Sequence, residues 1–163
     1  MQPIEHLRCQ RLHVYLAGPL FSDAERTFNE VVTQGLEEWV EVYLPQRDGG
    51  LISDMVHQGV PAHLAACRVF RGDMEAILQA DYLIAILDGR AIDEGVAFEL
   101  GIAFSHSKRC VGIQTDSRRL ASWGNNPMIT GALEIVFDSV DHLLSWIRNE
   151  ASQTAEKWSR CQP

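Results

Sequence analysis

Apolar residues recur along this chain in two rhythms. Short unbroken runs, of the length that buried strands prefer, lie at 12–17, 41–44, 81–87, 110–115 and 134–137. Between them the spacing widens to the three-and-four repeat of amphipathic helices. One helix opens at Ser22 or Asp23, either of which can cap it, and runs to about residue 40 with Phe28, Val31, Val32, Leu36 and Trp39 as its apolar side. A second covers about 61–79, with Pro61 at a tolerated first-turn position and Gly72 placed to bend or divide it. A third covers 96–107, with Val96, Leu100, Ala103 and Phe104 as its stripe. It is apolar almost all round, which predicts burial. Asp138 or Ser139 caps a last helix through Ile147, and 149–163 reads as a frayed or docking tail.

Two polar connections interrupt this order. Residues 46–59 form a loop long enough to be functional, with a helical turn near 52–57. Residues 116–126 form a second loop, followed by a short helix within 127–133. Strands alternating with helices predict βαβ units and a parallel sheet with right-handed crossovers. Five strands fit one α/β domain over 1–163, a flavodoxin-like three-layer sandwich of strand order 2-1-3-4-5. In such a sheet ligands bind beyond the carboxyl ends of the strands, where the order reverses. Gly18-Pro19 after the first strand and the segment from Asp88 to Gly95 after the third would flank that crevice.

Composition narrows the partners. A formal net charge of −8 over 163 residues argues against nucleic-acid polymers and anionic membranes. No apolar run is long enough to span a bilayer, and residues 1–10 are polar without a signal-peptide pattern, so a cytoplasmic location is expected. Cys9, Cys67, Cys110 and Cys161 are scattered, and the six histidines show no zinc spacing, so no metal is expected. Cys110 reads as a small core residue.

The candidate chemistry lies in carboxylates. Asp73, Asp88, Asp93, Glu94 and Glu99 fall close together, whereas both glycine-rich phosphate fingerprints and the G-x-S-x-G nucleophile elbow are absent. Paired carboxylates suit glycosidic chemistry. Glu99 stands out because a carboxylate at the edge of an apolar stripe is costly unless hydrogen bonds or a ligand satisfy it. Several residues keep a structural alternative. Asp93 can cap a helix, Asp88 can close a strand-end turn, and Gly18 can make a turn or admit a ligand. Tyr15 can pack in the core or offer its hydroxyl to a carboxylate. Asn126 can form a turn or hold a ligand, and Arg47, Arg118 and Arg119 read as solvated loop residues.

Four segments together carry a resemblance: Tyr15-Leu16-Ala17-Gly18-Pro19-Leu20-Phe21, Asp73, Asp93-Glu94-Gly95-Val96-Ala97-Phe98-Glu99-Leu100-Gly101 and Asn126-Pro127-Met128-Ile129. They are similar, in type and order, to the motifs of the nucleoside 2-deoxyribosyltransferases. The resemblance implies a double displacement in which Glu99 attacks C1′ of a 2′-deoxynucleoside, with Tyr15 orienting it and Asp73 exchanging a proton with the base. It further implies that Asp93 holds the sugar 5′-hydroxyl, with Asn126 reaching in from a neighbouring subunit of a dimer-based homo-oligomer, often a hexamer. Gly18, Pro19, Asp88 and Met128 complete the expected substrate contacts. Substrates would be small 2′-deoxynucleosides and free nucleobases, with no cofactor. Glu99 must stay ionised to attack, and Tyr15 and the early N–H groups of its helix are the expected donors.

Two rivals remain at this level. A 2′-deoxynucleoside 5′-phosphate N-hydrolase would pass the sugar to water, but the charge of Asp93 disfavours a phosphate and Asn126 stands where that group carries a serine. A non-catalytic nucleotide-sensing module is the other, since this fold hosts many functions.

Overall fold

The computed structural model describes residues 11–118 and 124–160. Arg119, Cys9, Cys161 and the expected flexible segment 1–10 lie outside them. Five strands form one parallel sheet: β1 (His13–Ala17), β2 (Glu41–Tyr43), β3 (Tyr82–Ile86), β4 (Arg109–Ile113) and β5 (Val136–Phe137). Their order is β2-β1-β3-β4-β5, as the pattern predicts. The register pairs Tyr15 with Tyr43 on one side and with Leu83 on the other.

The period-two alternation of the strands divides the interior into two layers. Val14, Leu16, Val42, Ile84, Ile86, Val111 and Ile113 face one layer. It is closed by α1 (Asp23–Leu36) and α7 (Val140–Arg160). Tyr15, Ala17, Leu83, Ala85 and Leu87 face the other. This second layer is covered by α4 (Ala62–Gln79), α5 (Glu94–Ser105) and the short α6 (Pro127–Thr130). Two further short helices, α2 (Pro45–Asp48) and α3 (Ile52–His57), occupy the predicted functional loop.

Ser22 starts α1 through a capping box: its Oγ accepts from Glu25 N at 3.2 Å while Glu25 Oε2 accepts from Ser22 N at 2.7 Å. The helix stops at Leu36, earlier than its pattern predicts, because the chain must turn to enter β2. α4 passes through Gly72 without a break, so that glycine does not divide it. The expectation that α5 is buried all round is corrected. Val96, Leu100 and Ala103 are buried, but Phe98 is 59% and Phe104 57% exposed, since only one side of the helix meets the sheet. Most of the segment expected as a frayed or docking tail continues the last helix, which runs on to Arg160. No helix among the described residues is long and apolar enough to cross a membrane.

Candidate active site

β1 delivers Tyr15 to the layer beneath α5, where its side chain is fully buried. Its hydroxyl donates to Glu99 Oε1 at 2.6 Å, a charge-assisted length. Glu99 stands in the second turn of α5, beside the stripe that packs on the sheet. The expected donors at the start of that helix are otherwise engaged. Asp93 caps α5, its Oδ1 accepting from Gly95 N at 2.9 Å and Val96 N at 3.1 Å. The donor to Glu99 is therefore Tyr15.

Burial pushes the Glu99 carboxyl up to about 7; the Tyr15 hydrogen bond opposes this, and the charges of Asp73 and Asp93 add to the rise. Burial, with the Glu99 charge behind it, drives the Tyr15 phenol far above its ordinary range, so it remains a donor. Asp73 projects from α4 toward the same layer. Burial raises its carboxyl above the usual range, against a hydrogen bond from the Tyr43 hydroxyl to Oδ1 at 3.1 Å.

Tyr43 is the residue that the sequence pattern missed. It pairs with Tyr15 across β1 and β2, and the two rings stack at 5.5 Å between centroids and 15° between planes. The available signal was positional: two tyrosines on adjacent parallel strands, one in the middle of β1 and one at the end of β2. It takes the register to show that they meet.

Other expected residues lie elsewhere or have other partners. Gly18 does not need a left-handed backbone. A Cβ there would come within 2.8 Å of Asn29 Oδ1 and 2.9 Å of Ile86 Cδ1, so its lack of a side chain serves packing. The Pro19 carbonyl accepts from Asn29 Nδ2 at 2.9 Å. Pro19, Asp88 and Gly89 do flank a crevice, of about 310 Å³, but it opens on the α1 side of the sheet. Asp88 binds the exit of β4, accepting from Thr115 N and Oγ1, both at 2.6 Å, and from Asp116 N at 2.8 Å. Asn126 caps α6 by accepting from Met128 N at 2.9 Å, and Met128 is 81% exposed.

α6 packs beside Ala97, Leu100, Gly101 and Phe104, which line an apolar cavity of about 450 Å³ with Pro127, Met128 and Ile129. At about 100° per residue, Glu99 projects roughly half a turn away from Ala97 and Gly101. Met128 therefore lies against the face of α5 turned away from Glu99, and Asn126 caps the same short helix. Arg47 is held by Glu37 and Asp48, and Arg118 pairs with Asp116.

Among curated proteins none matches significantly. Among solved structures, a conserved protein from Enterococcus faecalis V583 is 26% identical with a TM-score of 0.67, over 86% of this chain and 99% of that one. A 2-deoxyribosyltransferase from Bacillus psychrosaccharolyticus is 22% identical with a TM-score of 0.68, over 81% and 90%. A 2-desoxiribosyltransferase from Leishmania mexicana is 21% identical with a TM-score of 0.62, over 85% and 97%. These last two share the fold. The model of the nucleoside 2-deoxyribosyltransferase family matches residues 14–156, and the chain belongs to that family.

Proposed function

We propose that this protein transfers the 2-deoxyribosyl group between nucleobases by a retaining double displacement through Glu99. The observation that carries the reading is the 2.6 Å hydrogen bond from the buried Tyr15 hydroxyl to Glu99, with Asp73 close enough for its charge to act on both. A carboxylate with one oxygen held by a phenol keeps its orientation while the other oxygen stays available.

In the first half-reaction a Glu99 oxygen bonds to C1′ of a 2′-deoxynucleoside. The C1′–N bond breaks and its electron pair leaves with the base, which takes a proton from Asp73. In the second, an incoming base nitrogen attacks C1′ of the ester and returns its proton to Asp73, releasing Glu99. Two inversions give net retention. The raised Asp73 carboxyl suits such an exchange. Asp93 Oδ1 is engaged at the helix cap, which leaves Oδ2 for the sugar hydroxyl. Asn126 and Met128 are exposed, and Met128 lies against the face of α5 turned away from Glu99, so both are assigned to the site of a second copy in a homo-oligomer.

Deoxyinosine and adenine incubated with the protein test this directly. Chromatography is expected to show deoxyadenosine and hypoxanthine, and neither with Glu99→Ala. Hypoxanthine and free deoxyribose without deoxyadenosine would make water the acceptor and the protein a hydrolase. No turnover with any deoxynucleoside, or the same turnover in the variant, would refute the assignment of Glu99.

A further inference from the structure

Tyr15 in the middle of β1 and Tyr43 at the end of β2 form matched pairs with two carboxylates. Tyr15 donates to Glu99 at 2.6 Å and Tyr43 donates to Asp73 at 3.1 Å, while the phenol rings lie nearly parallel at 5.5 Å. The turn after α2 closes over the second pair. A Cβ on Gly49 would stand 2.9 Å from Asp73 Oδ1 and 3.2 Å from the Tyr43 hydroxyl, so only glycine lets the backbone lie against both. Its backbone is not left-handed, and the requirement is one of space. On the other side, a Cβ on Gly72 would sit 3.7 Å from the same hydroxyl, in ordinary contact. The Tyr43 hydroxyl thus lies between two residues without side chains.

We infer that Tyr43 is a positioning residue for the proton exchange: its hydroxyl fixes Asp73 Oδ1, and its ring, stacked on Tyr15, fixes the distance between Asp73 and Glu99. This rests on the assignment of Asp73 as the proton-exchanging group. Because Oδ1 is held, the proton moves on and off Oδ2, which has no hydrogen-bond partner among the described residues. The groups facing the Tyr43–Asp73 pair are Tyr15 from β1, Asp48 from α2 and Glu99 from α5. Arg47 of α2 lines the same cavity as Tyr43, but its guanidinium is held by Glu37 and Asp48, so among the described residues the side-chain hydrogen bond to Asp73 is the one from the Tyr43 hydroxyl. The hydrogen bond favours the ionised carboxyl, and its loss leaves burial unopposed.

Tyr43→Phe keeps the stacked ring and removes the hydroxyl; Tyr43→Leu removes both. The first measurement is a carboxyl ¹³C NMR titration of Asp73 in the wild type and Tyr43→Phe, with Asp73→Asn to assign the signal. The Asp73 transition is expected to move to higher pH in Tyr43→Phe. An unchanged transition overturns the proposal whatever the enzyme turns out to catalyse. The second is the pH profile of deoxyribosyl transfer from deoxyinosine to adenine. Tyr43→Phe is expected to lose about tenfold in kcat with little change in KM, as fits one hydrogen bond to a charged group. The limb it displaces is expected to be the one that Asp73→Asn abolishes. Wild-type kinetics in Tyr43→Phe, with loss only in Tyr43→Leu, would reduce Tyr43 to a packing residue. Failure of the wild type to transfer would instead count against the proposed reaction, while the NMR titration would still decide the role of Tyr43.

Discussion

Glu99 is ionised at a cost to the fold. Its carboxyl is raised from 4.5 to about 7, so between those values the native state holds a proton that the unfolded chain has released. Stability from this group is therefore greatest at low pH and declines as pH rises toward and through 7. At pH 8 the penalty is about 3 kcal/mol, taking about 1.4 kcal/mol for each unit. Glu99→Gln retains an acceptor for Tyr15 and carries no charge. It is expected to be inactive yet to melt at a higher temperature than the wild type at pH 8, with the difference vanishing near pH 4. Equal melting at both pH values would show that the site does not strain the fold. For catalysis the sign is opposite: kcat/KM is expected to rise through about pH 7 as Glu99 ionises in the free protein. The Tyr15–Glu99 pair was legible only through the family resemblance of their motifs, because a carboxylate on an apolar helix asks for a donor without saying which one. Tyr43 was not, because nothing in a three-residue strand fixes which neighbour its hydroxyl meets.

Among the elements, α7 departs most from its pattern. Its polar second half looks like a tail, yet Glu150 anchors it to the sheet, accepting from the Tyr82 hydroxyl at 2.6 Å and from Arg109 Nη1 at 2.7 Å. Arg109 also donates to Tyr82, reaches Glu134, and lies over the rings of Tyr82 and Trp146. Hydrophobic periodicity carries no information about such a contact. The hydrogen bonds from Tyr82 and Arg109 hold the Glu150 carboxyl below its ordinary value, so its stabilisation is present above about 4.5 and is lost as pH falls through the lowered value. Glu150→Gln is expected to cost about 1 kcal/mol at pH 7, a figure reduced for partial exposure. In urea titrations the two proteins should converge as pH falls below that lowered value. A constant gap between them would place the effect in packing instead. Strand order was readable for the opposite reason: five apolar runs alternating with helices leave few ways to close a parallel sheet.

For the molecule as a whole, the position of α6 has a genetic consequence. The helix carries the exposed Met128 against the side of α5 turned away from Glu99, and the exposed Asn126 caps it. If a second copy receives them, each site draws on two chains, and two defective proteins can repair each other. Glu99→Ala and Asn126→Ala chains, each inactive alone, would regain activity when refolded together. Random pairing into dimers would restore about a quarter of the wild-type sites, since half of the dimers are mixed and one site in each is intact. Activity that stays at the level of the separate variants would mean that each chain works with its own residues. If complementation occurs, an organism carrying two differently damaged copies of this gene would still make working enzyme, and an inactive copy would not simply be silent but would dilute or rescue its partner according to which residue it had lost.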